Sequence, residues 1–224
     1  MRVLRWDRAV LGLAGAFLVM QSVGCASTGI AVRERMGYAK REQLVDRVEE
    51  TRDAQASAKN QFATTLDELK SLTGYEDREL EGAHSRLKKA LSRSEARADR
   101  VREKIRSVER VGKALFSEWE SELDDYSTES LRRASEEQLD ATRTRYDRVV
   151  TAMRRAEATM SPVLDAFRDQ VLFLKHNLNA RAIASIDGAL VELEGEIATL
   201  IADMESSIDE ANRFIDQMSA GADG

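Results

Sequence analysis

The sequence predicts an all-α fold: an elongated antiparallel coiled coil, arranged as an up-down bundle of four long helices. Three observations carry this. Apolar residues recur at steps of three and four along nearly the whole chain, and no alternating strand-like run competes with them. Charged residues make up 33% of the 224 residues and aromatic residues only 5%, the profile of long helices. Proline occurs once, at Pro162.

The N-terminus reads as an address rather than as part of the fold. Arg2, Arg5 and Arg8 flank the start of an apolar run from Ala9 to Met20, which leads into Ser22-Val23-Gly24-Cys25. A basic region, a short apolar core and a small-residue cleavage site make a secretory signal. The run falls short of the roughly 20 apolar residues that span a bilayer as a helix. Cys25 follows small residues, as in a bacterial lipobox, where the mature chain begins at a lipidated cysteine. That pattern usually has Leu three residues earlier, and here Ser22 stands in its place. An ordinary cleaved signal also fits, with Gly24-Cys25-Ala26 as the small-residue site. The leading expectation is a lipoprotein-type signal over 1–24, lipidation at Cys25 and a short tether over 25–30. Ala26 after the cysteine, rather than Asp, points to outer-membrane sorting under the usual enterobacterial rule. Cys25 is the only cysteine, so an intramolecular disulfide is impossible.

Four stripes then define a bundle over 31–219. The first helix, 31–72, carries Leu44, Val48, Thr51, Ala58, Phe62, Thr65, Leu69 and Leu72, and Gly74 suits its C-terminal turn. The second, 77–124, carries Leu80, Leu87, Leu91, Ala98, Val101, Ile105, Val108, Leu115 and Trp119. Asp124 to Thr128 ends it, and Ser127 or Thr128 can cap the next helix. The third, 128–177, runs from Leu131 through Leu139, Val149, Met153, Met160, Val163 and Phe167 to Leu174. Its phase continues across Pro162, which favours one helix bent there; a new helix capped by Ser161 is the alternative. The fourth, 180–219, runs from Ile183 to Ile215, and 220–224 is a disordered tail. Helices of about 40 to 50 residues are roughly 60–75 Å long. Matched lengths and short turns favour antiparallel neighbours.

Removing residues 1–24 takes three Arg and one Asp from totals of 34 basic and 40 acidic residues, leaving 31 against 39, or net −8. An acidic chain of this kind argues against nucleic acid as a partner.

Three stretches carry a family resemblance. They are Arg41-Glu42-Gln43-Leu44-Val45-Asp46-Arg47-Val48-Glu49, Ala114-Leu115-Phe116-Ser117-Glu118-Trp119-Glu120, and the run from Phe167 to Ala184, of which Lys175 to Ala184 is the most specific part. Together they resemble the domain of unknown function 2959 family of bacterial proteins, over most of the mature chain. The resemblance implies a Gram-negative source and a lipoprotein-type signal. It implies no activity, substrate or cofactor, and so assigns no catalytic residue.

Motifs for chemistry are sparse. Glu81-Gly82-Ala83-His84 is a Glu-x-x-His on a helix, but a bundle metal site needs a second such motif and further carboxylates. No metal and no cofactor is therefore expected. Phosphate loops and dinucleotide glycine patterns are absent from the sequence. The Leu115, Phe116 and Trp119 cluster reads as core rather than as a membrane belt.

The turn after the third helix gathers Lys175, His176, Asn177, Asn179 and Arg181. It reads either as helix termination, with Lys and His favouring a C-terminus and Asn capping, or as a partner-binding tip. Leu172 and Phe173 lie off the buried stripe, either in a widened core or as an exposed patch. If Cys25 is lipidated, helix rise puts this turn about 60 Å or more from the membrane. The sequence thus predicts a non-enzymatic lipoprotein of the cell envelope, facing the periplasm. Its distal tip, Leu172, Phe173, Lys175, His176, Asn177, Asn179 and Arg181, would meet an envelope protein or mediate self-association. The alternative is an accessory or regulatory subunit of an envelope enzyme or transporter.

Overall fold

The uninterrupted 3.6-residue periodicity produces four helices in chain order: α1 (Cys25–Ser71), α2 (Leu80–Leu123), α3 (Glu129–His176) and α4 (Ala180–Ala220). The structure, a computed structural model, describes the backbone of residues 25–72, 80–177 and 180–220, and the side chains of 39–72, 80–177 and 188–220. Among the described residues there is no strand. The signal over 1–24, the Thr73–Tyr75 turn, Asn179 and residues 221–224 lie outside them. α1 begins six residues before the expected start at 31. The chain divides into two compact units, Met1–Arg35 and Met36–Gly224, and the second holds the bundle.

Side-chain ties fix the arrangement. Between α1 and α2, Glu50 accepts from Lys104 at 2.8 Å and Glu68 pairs with Arg86 at 3.5 Å. Between α2 and α3, Glu95 meets Arg168 and Glu109 meets Arg154, both at 2.7 Å through Nε. Arg155 of α3 reaches Asp203 of α4 at 2.9 Å. Between α4 and α1, Glu205 pairs with Lys59 at 3.1 Å and Glu194 with Lys70 at 2.7 Å. Where two or more ties join a pair of helices, partner numbers fall on one as they rise on the other, so those helices run antiparallel. Each helix touches the next and α4 returns to α1, which leaves α2 and α4 on opposite sides.

The stripes meet in one continuous core. Leu44, Phe62, Leu69, Leu87, Ile105, Met153, Phe167, Leu200, Met204 and Phe214 are all buried in it. Small residues lie between them, with Ala58, Ala90, Ala98, Ala156 and Ala211 fully buried. They let the helices approach closely between the larger layers. Two polar pairs cross the core. Thr65 Oγ1 and Ser94 Oγ are 2.8 Å apart between α1 and α2, and Ser207 Oγ donates to Gln55 Oε1 at 2.9 Å between α4 and α1. Thr65 Oγ1 also donates to the Gln61 carbonyl at 2.9 Å, and Thr51 and Thr142 bond the carbonyls of Arg47 and Gln138, each one turn earlier, which satisfies a buried hydroxyl locally.

Pro162 sits inside an unbroken α3. The ring removes one N–H and frees the carbonyl of Ala158. Pro162 and Ala158 are both exposed, so water can reach that carbonyl, while Met160, Val163 and Leu164 stay buried. Two other details depart from expectation. The Thr128 side chain makes no capping bond, although the Thr128 carbonyl accepts from the Leu131 and Arg132 amides at 3.1 and 3.0 Å. Leu131, placed on the buried stripe by its phase, is 57% exposed. Periodicity tells which face a residue occupies, not whether a neighbour covers it, and the α3 core begins only at Leu139.

Candidate functional site

The end of α3 is shaped by one change of face. Leu174 is seven residues beyond Phe167, two helical turns, so it returns to the core and is fully buried. Leu172 and Phe173 fall on the outer flanks and are 58% and 39% exposed. His84 Nε2–H of α2 donates to the Val171 carbonyl at 3.1 Å and so holds α2 against this last stretch. The helix closes on Asn177, whose Nδ2 donates to the Phe173 carbonyl at 3.0 Å and whose backbone N–H donates to the Leu174 carbonyl at 3.3 Å. Lys175 and His176 are exposed in the final turn, at the negative end of the helix dipole. The structure thus brings Leu172, Phe173, Lys175, His176 and Asn177 together, with Asn177 as the terminator. Asn179 and the Arg181 side chain lie outside the described residues, although Arg181 belongs to α4. Glu81 is exposed, and among the described residues no cluster of three or more His, Cys, Asp or Glu side chains could hold a metal ion.

A second cluster, missed from the sequence, forms where the first two family-like stretches meet. The Arg41 guanidinium lies over the Trp119 ring, 5.0 Å from its centroid, and Lys40 pairs with Glu118. Trp119 Nε1 donates to Ser135 Oγ of α3 at 2.9 Å. One turn before Trp119, Phe116 is buried edge-on against Tyr146, with centroids 5.1 Å apart and planes at 70°. Arg143 covers the Phe116 ring at 5.1 Å and donates to Glu120 at 2.8 Å. The signal was present, since α1 and α2 were expected to be antiparallel. Pairing Arg41 with Trp119 nevertheless required the turn length and register.

Gly112 makes this cluster possible. A Cβ there would lie 2.5 Å from Tyr146 Cζ and 2.7 Å from its hydroxyl. Gly112→Ala should gain about 1 kcal/mol of helix propensity yet lose roughly 1–3 kcal/mol to overpacking. The expected net result is a lower melting temperature, with the loss abolished in a Tyr146→Ala background. A Gly112→Ala chain as stable as the parent would show that the ring is free to move.

Burial, then the nearby Glu109 and Asp147, push the Tyr146 hydroxyl up from 10.0 to about 12. The fold therefore disfavours the phenolate. The stability associated with this group is complete below pH 10.0, where the unfolded chain holds the same proton, and is lost as pH rises toward about 12. Denaturant titrations across this window should show a steeper decline for the parent than for Tyr146→Phe; identical slopes would contradict the assignment.

A groove of about 500 Å³ separates α3 from α4, lined by Asp147, Arg148, Thr151, Arg155, Asp203 and Glu210 among others. Asp203 is 8% exposed and is held there by Arg155.

No helix among the described residues is long and apolar enough to cross a membrane. Residues 30–218 match the description of a protein of unknown function, DUF2959. The chain belongs to the DUF2959 family. The match takes in all three family-like stretches, and with them both the Arg41–Trp119 cluster and the end of α3. Comparison with curated proteins gives no match, nor does comparison with solved structures.

Proposed function

We propose that this DUF2959 protein is an envelope-anchored helical lipoprotein, held at Cys25, that presents the bundle end around residues 172–181 to a protein partner. The observation that carries the reading is the exposure of Leu172 and Phe173, at 58% and 39%, beside the buried Leu174. Two adjacent large apolar side chains open to water offer the kind of surface that a partner contact covers. The exposed Lys175 and His176 supply a polar rim of the kind that surrounds apolar contact patches. The basic, apolar and small-residue segments before Cys25 support export and lipidation. The reading assigns no catalysis and no cofactor.

Two variants test it together. Phe173→Ser should leave the melting temperature within a few degrees, since surface changes usually stay within about 0.5 kcal/mol. The same change should remove a crosslink formed from the tip in intact cells. Cys25→Ser should release the protein from the outer-membrane fraction. A large drop in melting temperature on Phe173→Ser would make that ring a core residue and end the tip reading. Quantitative sedimentation of Cys25→Ser with outer membrane would end the anchoring reading.

A further inference from the structure

We propose that the bundle packs side by side with further copies of itself, the basic face of α2 in one copy against the acidic face of α4 in the next. This goes beyond the proposed tip and uses a different surface. Between residues 82 and 117, α2 carries eleven Lys and Arg against four Asp and Glu. Between residues 188 and 220, α4 carries eight Asp and Glu against Arg213 alone. Glu81, Glu118, Glu120 and Glu122 at its ends bring the whole of α2 to eleven against eight, so the basic excess belongs to its central stretch. That stretch and α4 lie on opposite sides of the ring, with α1 and α3 near balance between them.

Much of the excess is unspent within the fold. Among the described residues, Lys89, Arg93, Arg97, Arg100, Arg106 and Arg110 are exposed and have no ion pair. Glu192, Asp209 and Asp216 on α4 are likewise exposed and unpaired. The two faces also stand at the same height. Glu68 of α1 pairs with Arg86, and two residues on Lys70 pairs with Glu194. Further along, Glu50 takes Lys104, and two residues on Arg52 donates to Asn212 at 3.2 Å. A neighbour thus meets opposite charge along these matched stretches without sliding.

Topology decides the occupant. Two copies related by a two-fold axis through α2 would set like charges face to face. A shifted copy in the same orientation sets α2 against α4 instead. In an up-down bundle α2 and α4 run parallel, so this contact keeps every α1 entering from the same end, as chains tethered to one surface require. An anionic surface or polymer would account for α2 and leave the excess on α4 unexplained. The contact is heterologous and does not close, so it builds rows.

Sedimentation velocity of the full chain under reducing conditions tests this at about 0.05 M and about 1 M salt, where screening lengths differ several-fold. The average mass should rise with concentration at low salt and fall to that of the monomer at high salt. Arg93→Glu/Arg97→Glu/Arg100→Glu and Glu192→Lys/Asp209→Lys/Asp216→Lys should each associate at least tenfold more weakly alone, with helicity unchanged. An equimolar mixture of the two should regain association, because each then offers the face the other needs. A parent chain that stays monomeric at low salt overturns the proposal, as does a mixture that fails to associate. A monomeric parent that sediments with anionic lipid vesicles, and loses this on α2 reversal, would assign the basic face to membrane instead.

Discussion

Phe167→Ala is expected to lower the unfolding free energy by about 3–5 kcal/mol, the largest loss from a single truncation in α3. Phe167 is fully buried, between Val163 and Leu174 on the stripe that α3 turns inward. The loss has two parts. The ring's transfer out of water is forgone, and a cavity remains because a long helix packed between two neighbours relaxes little. For a domain of this size about 2–4 °C accompanies each kcal/mol, so the melting temperature should fall by roughly 6–20 °C. Phe173→Ala, six residues on and 39% exposed, is the internal control and should fall by only a small fraction of that. Equal losses at the two positions would mean that the exposed side of α3 is packed in solution.

Pro162→Ala should raise stability, by about 2 kcal/mol. A helix-interior proline costs roughly 3 kcal/mol relative to alanine, while its restriction of the unfolded chain returns up to about 1 kcal/mol. Alanine restores the N–H that Pro162 lacks and re-forms the bond to the Ala158 carbonyl. No apolar contact is lost, because Pro162 faces solvent while Val163 and Leu164 hold the core. Urea midpoints of the two chains measure this directly. A midpoint that does not move, or that falls, would mean that α3 needs the backbone shape imposed at this position.

Much of the fold was legible in the sequence because period and phase are local properties. The stripe from Leu80 to Trp119 fixed one face of α2, and the in-phase Met160, Val163 and Phe167 argued for a continuous α3 across Pro162, as found. The end of α3 was legible in part, since the phase of Leu172 and Phe173 set them off the stripe that buries Leu174. Leu131 shows the limit of the method, because its phase was right and its coverage was not. The Arg41–Trp119 contact and the space that Gly112 leaves for Tyr146 were hidden, since both depend on the axial offset between helices. No single helix's sequence states that offset. The charge sorting between α2 and α4 could be counted at once, but it gained meaning only when the ring order put the two helices on opposite sides.

That offset has to be set by something, and the two polar pairs in the core act as the graduations on a ruler. A core of leucine and alanine is nearly smooth to sliding: move α4 by one turn, about 5.4 Å, and apolar atoms again meet apolar atoms. Gln55 and Ser207 permit no such drift. One turn out of step, Gln55 Oε1 and Ser207 Oγ lose each other and face aliphatic carbon, and an unsatisfied buried polar atom costs roughly 1–3 kcal/mol. Between α1 and α2, at a different height, Ser94 would lose the Thr65 hydroxyl it meets, while Thr65 keeps its own bond to the Gln61 carbonyl. Two detents at separate heights lock three helices into a single alignment. The Arg41–Trp119 contact towards one end and the hold of His84 on Val171 towards the other then stay in fixed axial relation across the length of the bundle. A bundle graduated in this way behaves as a strut that carries a displacement from one end to the other instead of absorbing it by slippage.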